Sequence, residues 1–221
     1  GEKIVLRANP TYFQGRPWLD GFIYRIVPDP ATMFLELKSG GLDFMGLTPL
    51  QYTRQADTYK MRRDFCKYKY LAFAYTYLGY NLKDWKFQDR RVRQAITHAI
   101  NKEELIEGVL LGLGLVATGP YKPDTIWYNP KVKKFPHDPE EAKRLLAEAG
   151  WKAAGTDGIL QKDGRPFEFT ILTNQGNETR AKSAEIIQRR LKMVGIQVKI
   201  RTVEWSAFIN EFIDKKSFET V

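Results

Sequence analysis

The chain has 221 residues, 43% of them hydrophobic and 13% aromatic, and a net charge of +9. That composition fills a core and excludes global disorder. No apolar run approaches the roughly 20 residues that span a bilayer as a helix; the longest, residues 109–117, is broken by Gly112 and Gly114.

The basic excess raises nucleic acid or an anionic membrane as partners. It is spread along the chain, however, +4 over residues 1–80 and +5 over the rest. The clusters Arg62-Arg63, Arg90-Arg91-Arg93 and Arg189-Arg190-Lys192 fall in helix-like or turn-like segments with acids nearby, as solvated helix faces do. The single cysteine, Cys66, excludes an intrachain disulfide and reads as a partly buried, unreactive residue, since no His or second Cys lies near it. The chain opens on Gly1 with no basic-then-apolar leader, and residues 218–221 look like the start of a strand. It is therefore expected to be an internal segment, and a missing leader says nothing of the compartment.

In chain order, residues 4–8 read as a strand, Asn9-Pro10 and Gln14-Gly15-Arg16-Pro17 as turns, and residues 22–27 as a second strand. Asp29-Pro30 opens a helix with Met33, Phe34 and Leu37 as its apolar stripe and Gly40 at its C-cap. Residues 42–45 follow as a short strand, giving an expected βαβ unit with parallel strands. Thr48-Pro49 starts a helix-like stretch running to about Tyr59, and residues 65–81 form a long β region dense in aromatics. Residues 82–88 are polar and turn-like, the best place for a domain boundary or hinge.

Residues 89–100 are helical, with Val92, Ile96 and Ala99 on one face. Asn101 caps the next helix and Glu104 sits where a capping box requires it; Asp138, with Glu141, repeats that signature. Residues 112–136 are loop-rich. Asp157-Gly158 and Asp163-Gly164 bracket a hairpin. Phe167, Phe169 and Ile171 alternate as a strand, residues 174–177 form a polar loop, and Ala184, Ile187, Leu191 and Val194 mark a helix. Ile196, Val198 and Ile200 alternate again, completing a second βαβ unit. The fold class is α/β.

Little in the sequence carries chemistry. His98 and His137 are far apart, without nearby cysteines, and show no zinc spacing. There is no G-x-S-x-G elbow, no Cys–His signature and no defensible acid–base pair. The run Gly108 to Gly114 lacks the Lys-Ser/Thr of a phosphate loop and ends a helix instead of opening one. No catalytic residue, metal site or cofactor is assigned. The aromatic run from Tyr68 to Tyr80 admits two readings. Alternating aromatics are what core packing produces, yet tyrosines carry a polar tip, and Tyr75, Tyr77 and Tyr80 also suit a cleft where they stack on a ligand. The loop Asn174-Gln175-Gly176-Asn177 leaves a strand end for a helix N-terminus, a place that lines crevices in α/β sheets as readily as it caps the helix.

Four stretches together identify a family. They are Asn9-Pro10-x-Tyr12 through Gly15-Arg16-Pro17-Trp18-Leu19-Asp20; Ser39-Gly40-Gly41-Leu42-Asp43; Asn81 through Phe87-x-Asp89-x-Arg91-Val92-Arg93-Gln94-Ala95-Ile96; and Asp138-Pro139 through Ala142-x-x-Leu145-Leu146-x-x-Ala149-Gly150-Trp151. In order and spacing the chain resembles the oligopeptide- and dipeptide-binding class of extracytoplasmic solute-binding proteins, family 5.

The resemblance implies a partial periplasmic binding protein-like type II fold, with βαβ units from two lobes. Residues 1–80 would belong to the first lobe, ending in a crossing strand, and residues 81–221 would begin the second. It implies capture of a peptide or other small solute in the inter-lobe cleft, closure about residues 82–88, and delivery to the permease subunits of an ABC importer. The location implied is periplasmic or extracytoplasmic, with a membrane anchor possible in the full-length protein. Tyr75, Tyr77 and Asn81 match the stretch where the family's crossing strand touches ligand, and Leu47 and Thr48 lie in a second cleft-facing stretch; Asn174 joins them from the loop above. The acidic residue that pairs with a peptide's amino terminus in this family lies beyond Val221. Members also bind sugars and nickel complexes. Two rival readings are a basic nucleic-acid-binding module and an α/β enzyme of unknown class.

Overall fold

A computed structural model describes residues 2–156 and 158–221. The chain divides into two compact units, Gly1–Lys67 and Tyr68–Val221.

In the first unit, β1 (Lys3–Arg7) and β2 (Gly21–Arg25) pair antiparallel, from Lys3↔Arg25 to Arg7↔Gly21. Helix α1 (Pro30–Ser39) follows. Its Asp29 cap accepts from the Thr32 amide at 2.7 Å, and Gly40 closes it in a left-handed conformation. Phe34 and Leu37 of α1 pack with Ala56 and Met61, and Leu42, Met45, Leu47 and Phe65 lie against this core. The predicted strand over residues 42–45 does not form. Leu42 and Met45 are drawn by their side chains onto the α1 core, and the backbone finds no strand to pair with. The first expected βαβ unit is thus an antiparallel hairpin followed by a helix. The helix expected from Thr48 is split into a π-helical turn, Gln51–Gln55, and α2 (Tyr59–Asp64), which Thr58 caps afresh. Cys66 is exposed, not partly buried.

The second unit opens with the aromatic stretch, and here the sequence misled. Only residues 79–81 of the predicted strand over residues 65–81 join a sheet, pairing antiparallel with residues 219–221 through Gly79, Tyr80 and Asn81. Upstream of them, residues 68–78 make no ladder among the described residues. β-propensity records how side chains fit a pleated surface, and these residues have no partner strand to form one with. The expected turn over residues 82–88 contains a short helix, α3 (Trp85–Gln88), whose Phe87 is completely buried.

Helices α4 (Arg90–Ala99), α5 (Lys102–Leu110) and α6 (Pro139–Glu148) fall where the periodicity predicts. Both capping boxes are half-formed. Asn101 and Asp138 accept from the amides of Glu104 and Glu141, but those glutamates turn to Arg189 and Arg190, and to Arg144, rather than back to the cap. Next come β3 (Lys152–Ala153), β4 (Leu160–Lys162) and β5 (Arg165–Pro166), a small antiparallel sheet. Asp163 and Gly164, at φ of 51° and 72°, make the two-residue turn joining β4 to β5, a geometry that favours glycine at its second position. Asp157, half of the other predicted turn signal, lies outside the described residues.

The predicted second βαβ unit is present. β6 (Glu168–Asn174) and β7 (Gln197–Val203) are parallel and joined by α7 (Glu178–Lys192). From β7 the chain passes through α8 (Trp205–Ala207) and a π-helical turn, Phe208–Ile213, to residues 219–221 on the far side of β6. The sheet therefore runs β7, β6, residues 219–221, residues 79–81, with the last antiparallel to the others. One face buries Phe169 and Ile171 against Val92 and Ile96 of α4, Leu146 of α6, and Ile187 and Leu191 of α7. Trp151 stacks on Phe167 at 4.0 Å between ring centres, sealing the end of this core.

Candidate ligand-binding edge

The strand order creates a crevice. The chain leaves β6 for β7 on one side and returns to residues 219–221 on the other, so β6 sits where the winding reverses. In such sheets ligands bind beyond the carboxyl ends of the strands at that reversal. Ile171 is level with Thr220, which is level with Tyr80, and Asn174 is level with Val203. The carboxyl end of β6 is thus the edge at which the antiparallel residues 79–81 enter the sheet.

Several predicted residues belong to this edge. Asn174 ends β6, and its Oδ1 accepts from Arg180 Nη1 at 2.7 Å. Asn177 caps α7 by accepting from the Arg180 amide, so the helix opens beside the same edge. Tyr75 and Tyr77 immediately precede the entering strand. Their rings lie 5.5 Å apart, and the residues are 50% and 65% exposed, which decides between the two readings of this pair: they are not core. A Cβ at Gly79 would come within 3.0 Å of the Tyr77 ring and 3.3 Å of the Val221 side chain, so a larger residue there would push both aside by a few tenths of an ångström. Phe73, further upstream, is edge-on to Trp127 at 6.4 Å. Trp127 comes from the long loop and was missed; a lone aromatic in a proline-rich stretch gives no periodic signal.

Asn81 behaves differently. It pairs with Glu219, one rung away from the carboxyl edge, and its side chain is committed to the protein. Nδ2 donates to the carbonyls of Phe218 at 2.8 Å and Lys216 at 3.1 Å, and Oδ1 accepts from the Lys83 amide at 3.1 Å. Asn81 thereby pins the turn that brings residues 219–221 into the sheet. Lys86 reinforces the joint, bridging Glu219 at 2.6 Å and Asp84 at 3.0 Å, while the other Glu219 oxygen accepts from the Thr170 amide at 2.8 Å. Burial opposes the Lys86 ammonium, but Glu219 and Asp84 outweigh it and hold its pKa above the ordinary lysine value. Tyr80, the third tyrosine of the run, packs on Phe87 at 5.2 Å. Burial drives its phenol far above the ordinary value, against the pull of the Thr97 hydroxyl and Arg93, so Tyr80 is a packing residue.

Leu47 and Thr48 lie in the first unit. Leu47 packs on the α1 core. Thr48 caps the following turn reciprocally with Gln51: its Oγ1 accepts from the Gln51 amide at 3.2 Å, and Gln51 Oε1 accepts from the Thr48 amide at 2.9 Å. The buried Gln51 also donates to Pro30 O at 2.8 Å, tying this turn to α1.

The motif residues 89–96 are scaffold. Asp89 caps α4, Arg91 reaches the Glu148 carbonyl at the end of α6, Arg93 holds the Phe87 and Gln88 carbonyls, and Val92, Ala95 and Ile96 are core. His98 faces the Pro136 carbonyl at 2.8 Å. Among the described residues no group of three or more His, Cys, Asp or Glu is placed to hold a metal ion, and no helix is long and apolar enough to cross a membrane.

The profile of the bacterial extracellular solute-binding proteins, family 5 Middle, matches residues 1–221. The oligopeptide-binding protein AppA of Bacillus subtilis (strain 168) is 42% identical over 217 residues, covering 96% of this chain and 38% of the relative. The structure of AppA from Bacillus subtilis in complex with a nonapeptide superposes with a TM-score of 0.81 at 39% identity, over 100% of this chain and 44% of that one. NikZ from Campylobacter jejuni in complex with Ni(L-His) superposes at 0.83 with 26% identity, over 99% and 42%. The chain thus has the partial type II binding-protein fold, and it spans about two-fifths of the length of the relatives it matches.

Proposed function

Because the chain belongs to the bacterial extracellular solute-binding proteins of family 5, we propose that it is part of a protein that captures a small peptide outside the cytoplasmic membrane and hands it to the permease of an ABC importer. No bond is made or broken; the work is binding and release. Residues up to about 80 serve the first lobe and its crossing segment, and residues from 81 onward the second. The observation that carries the reading is the reversal edge of the second unit, where exposed Tyr75 and Tyr77 stand at the same end of the sheet as Asn174. A peptide lying there would stack on the tyrosines and hydrogen-bond to the opening of α7 and to the capacity left on Asn174, whose Nδ2 already donates to the Gln175 carbonyl and whose Oδ1 accepts from Arg180. Asn81 acts indirectly, by holding the strand on which this edge is built. Leu47 and Thr48 remain candidates from the first lobe, Thr48 through its hydroxyl proton, because its amide and carbonyl are engaged by Gln51 and Tyr52 and the hydroxyl oxygen only accepts from Gln51. Closure flexes residues 68–78, which carry no ladder hydrogen bonds; residues 82–88, first read as the hinge, are anchored by Phe87. Membrane anchoring of the full-length protein belongs to the same reading.

Peptide is favoured over a nickel chelate because a relative 42% identical is an oligopeptide-binding protein. The basic-module alternative has less ground, since much of each cluster is paired locally: Arg62 with Asp57, Arg63 with Asp64, Arg91 with Asp89, and Arg189 and Arg190 with the shared Glu104. The test is calorimetric titration of the intact protein with a pool of short peptides, with a nickel–histidine complex and with duplex DNA. Saturable binding of peptides, weakened about tenfold or more in Tyr77→Ala with an unchanged melting temperature, is expected. Binding of DNA alone, lost at high salt, would sink the proposal.

A further inference from the structure

On the face of the sheet opposite the α4–α6–α7 core lies an open cleft of about 410 Å³. By alternation along β6, Phe169 and Ile171 serve the core while Thr170 and Leu172 face this cleft. Arg201 is the ladder partner of Leu172 and shares its side. Phe212 and the turn over residues 216–218 make the opposite wall.

The wall is built, and Asn81 holds it in place. Its amide fixes the Lys216 and Phe218 carbonyls, and Lys216 itself takes a left-handed conformation at φ 55°, unusual for a residue with a side chain. The Arg201 guanidinium is seated over the Phe212 ring, 4.9 Å from its centre. Glu168 pairs with Lys199, Glu211 with Lys215 and Glu219 with Lys86, while Asp214, two residues before Lys216, stands in no ion pair among the described residues. Among the described residues, Arg201 and Lys216 have no carboxylate partner. Both cations line the cleft, beside the apolar Leu172, Phe212 and Phe218 and the polar Thr170, Ser217 and Glu219.

We propose that this cleft binds a small organic monoanion, a carboxylate carried on an apolar group, with Arg201 and Lys216 receiving the carboxylate and Leu172 and Phe218 the apolar part. Arginine's planar fork matches a carboxylate. Glu219 also lines the cleft and repels a doubly charged phosphate more strongly than a monoanion. The site is independent of the peptide-capture reading, since it lies against the body of the sheet and uses none of Tyr75, Tyr77 or Asn174.

The experiment titrates the intact protein with phenylacetate, and in parallel with phenethylamine and with inorganic phosphate. Saturable phenylacetate binding is expected, with neither comparison compound saturating. Arg201→Gln and Lys216→Gly each weaken it tenfold or more while peptide binding is kept. Lys216→Gly suits the left-handed backbone and so guards against misfolding, which circular dichroism checks. Tyr77→Ala leaves phenylacetate binding as in the wild type, whatever it does to peptides. Absence of saturation, equal binding of phenethylamine or phosphate, an affinity unmoved by both cation variants, or a loss in Tyr77→Ala overturns the proposal.

Discussion

Replacing Asn81 with alanine separates a structural role from a ligand-touching one. The variant removes two donor bonds from Nδ2, to Phe218 O at 2.8 Å and Lys216 O at 3.1 Å, and the bond from the Lys83 amide to Oδ1. A buried-side hydrogen bond contributes about 1 kcal/mol net, and exposed ones about half that because water replaces the partner. The Phe218 bond is the sheltered one, so the sum is about 2 kcal/mol. Its effect should be local first. Residues 219–221 enter the sheet through the turn that Asn81 pins, so their rungs to Gly79 and Asn81 should open about 30-fold more often. Hydrogen exchange at the Gly79 and Val221 amides, with denaturant titration for the global effect, reads both. The converse result, wild-type exchange and midpoint together with lost peptide affinity, would refute the reasoning and return Asn81 to the ligand site.

Three further outcomes follow from the same geometry. Phe167→Ala empties the ring that stacks on Trp151 at 4.0 Å and packs beside Phe169, so denaturation should show a loss of about 3–5 kcal/mol; under 1 kcal/mol would mean the core is not where we place it. Glu104 ties α5 to α7, and its bonds with Arg190 and Arg189, against the opposing cost of burial, hold its pKa below the ordinary 4.5. Its contribution is therefore complete above the unfolded value and fades as pH falls through the lower folded one; Glu104→Gln should flatten the acid limb of a stability–pH curve, and an unchanged limb would count against it. Lys86→Met strands the Glu219 carboxylate beside the Thr170 amide and should lower the melting temperature, whereas the double variant with Glu219→Gln should recover part of the loss. A double variant no better than the single one would show that the pair does not couple.

The second unit was read well from sequence because its signals are local and redundant. Asp89, Asn101, Asp138 and Asn177 each cap the helix that follows, and the period-two apolar residues of β6 and β7 have a buried face to report. What failed was long-range. Whether residues 68–78 form a ladder depends on a partner strand, which no tyrosine spacing encodes. Residues 42–45 look like a strand and are held instead by side chains on α1. The site was half legible: Tyr75, Tyr77 and Asn174 share an edge for topological reasons, whereas the commitment of Asn81 to residues 216–218 and of Thr48 to Gln51 is visible only in coordinates. The most specific sequence motif, residues 89–96, turned out to serve packing and capping.

The bond from Asn81 to Phe218 joins residues 137 positions apart. A ribosome releases the chain from its amino end, so residues 79–81 emerge long before the strand that pairs with them has been synthesised. Until then their polar backbone is an open edge beside a run of exposed aromatics, in search of a mate. The α4–α6–α7 layer can gather first through nearby contacts, leaving this rung, with the largest loop to close, as the late step. In a crowded cell that interval is when a chaperone would find the tyrosine-rich stretch open to it.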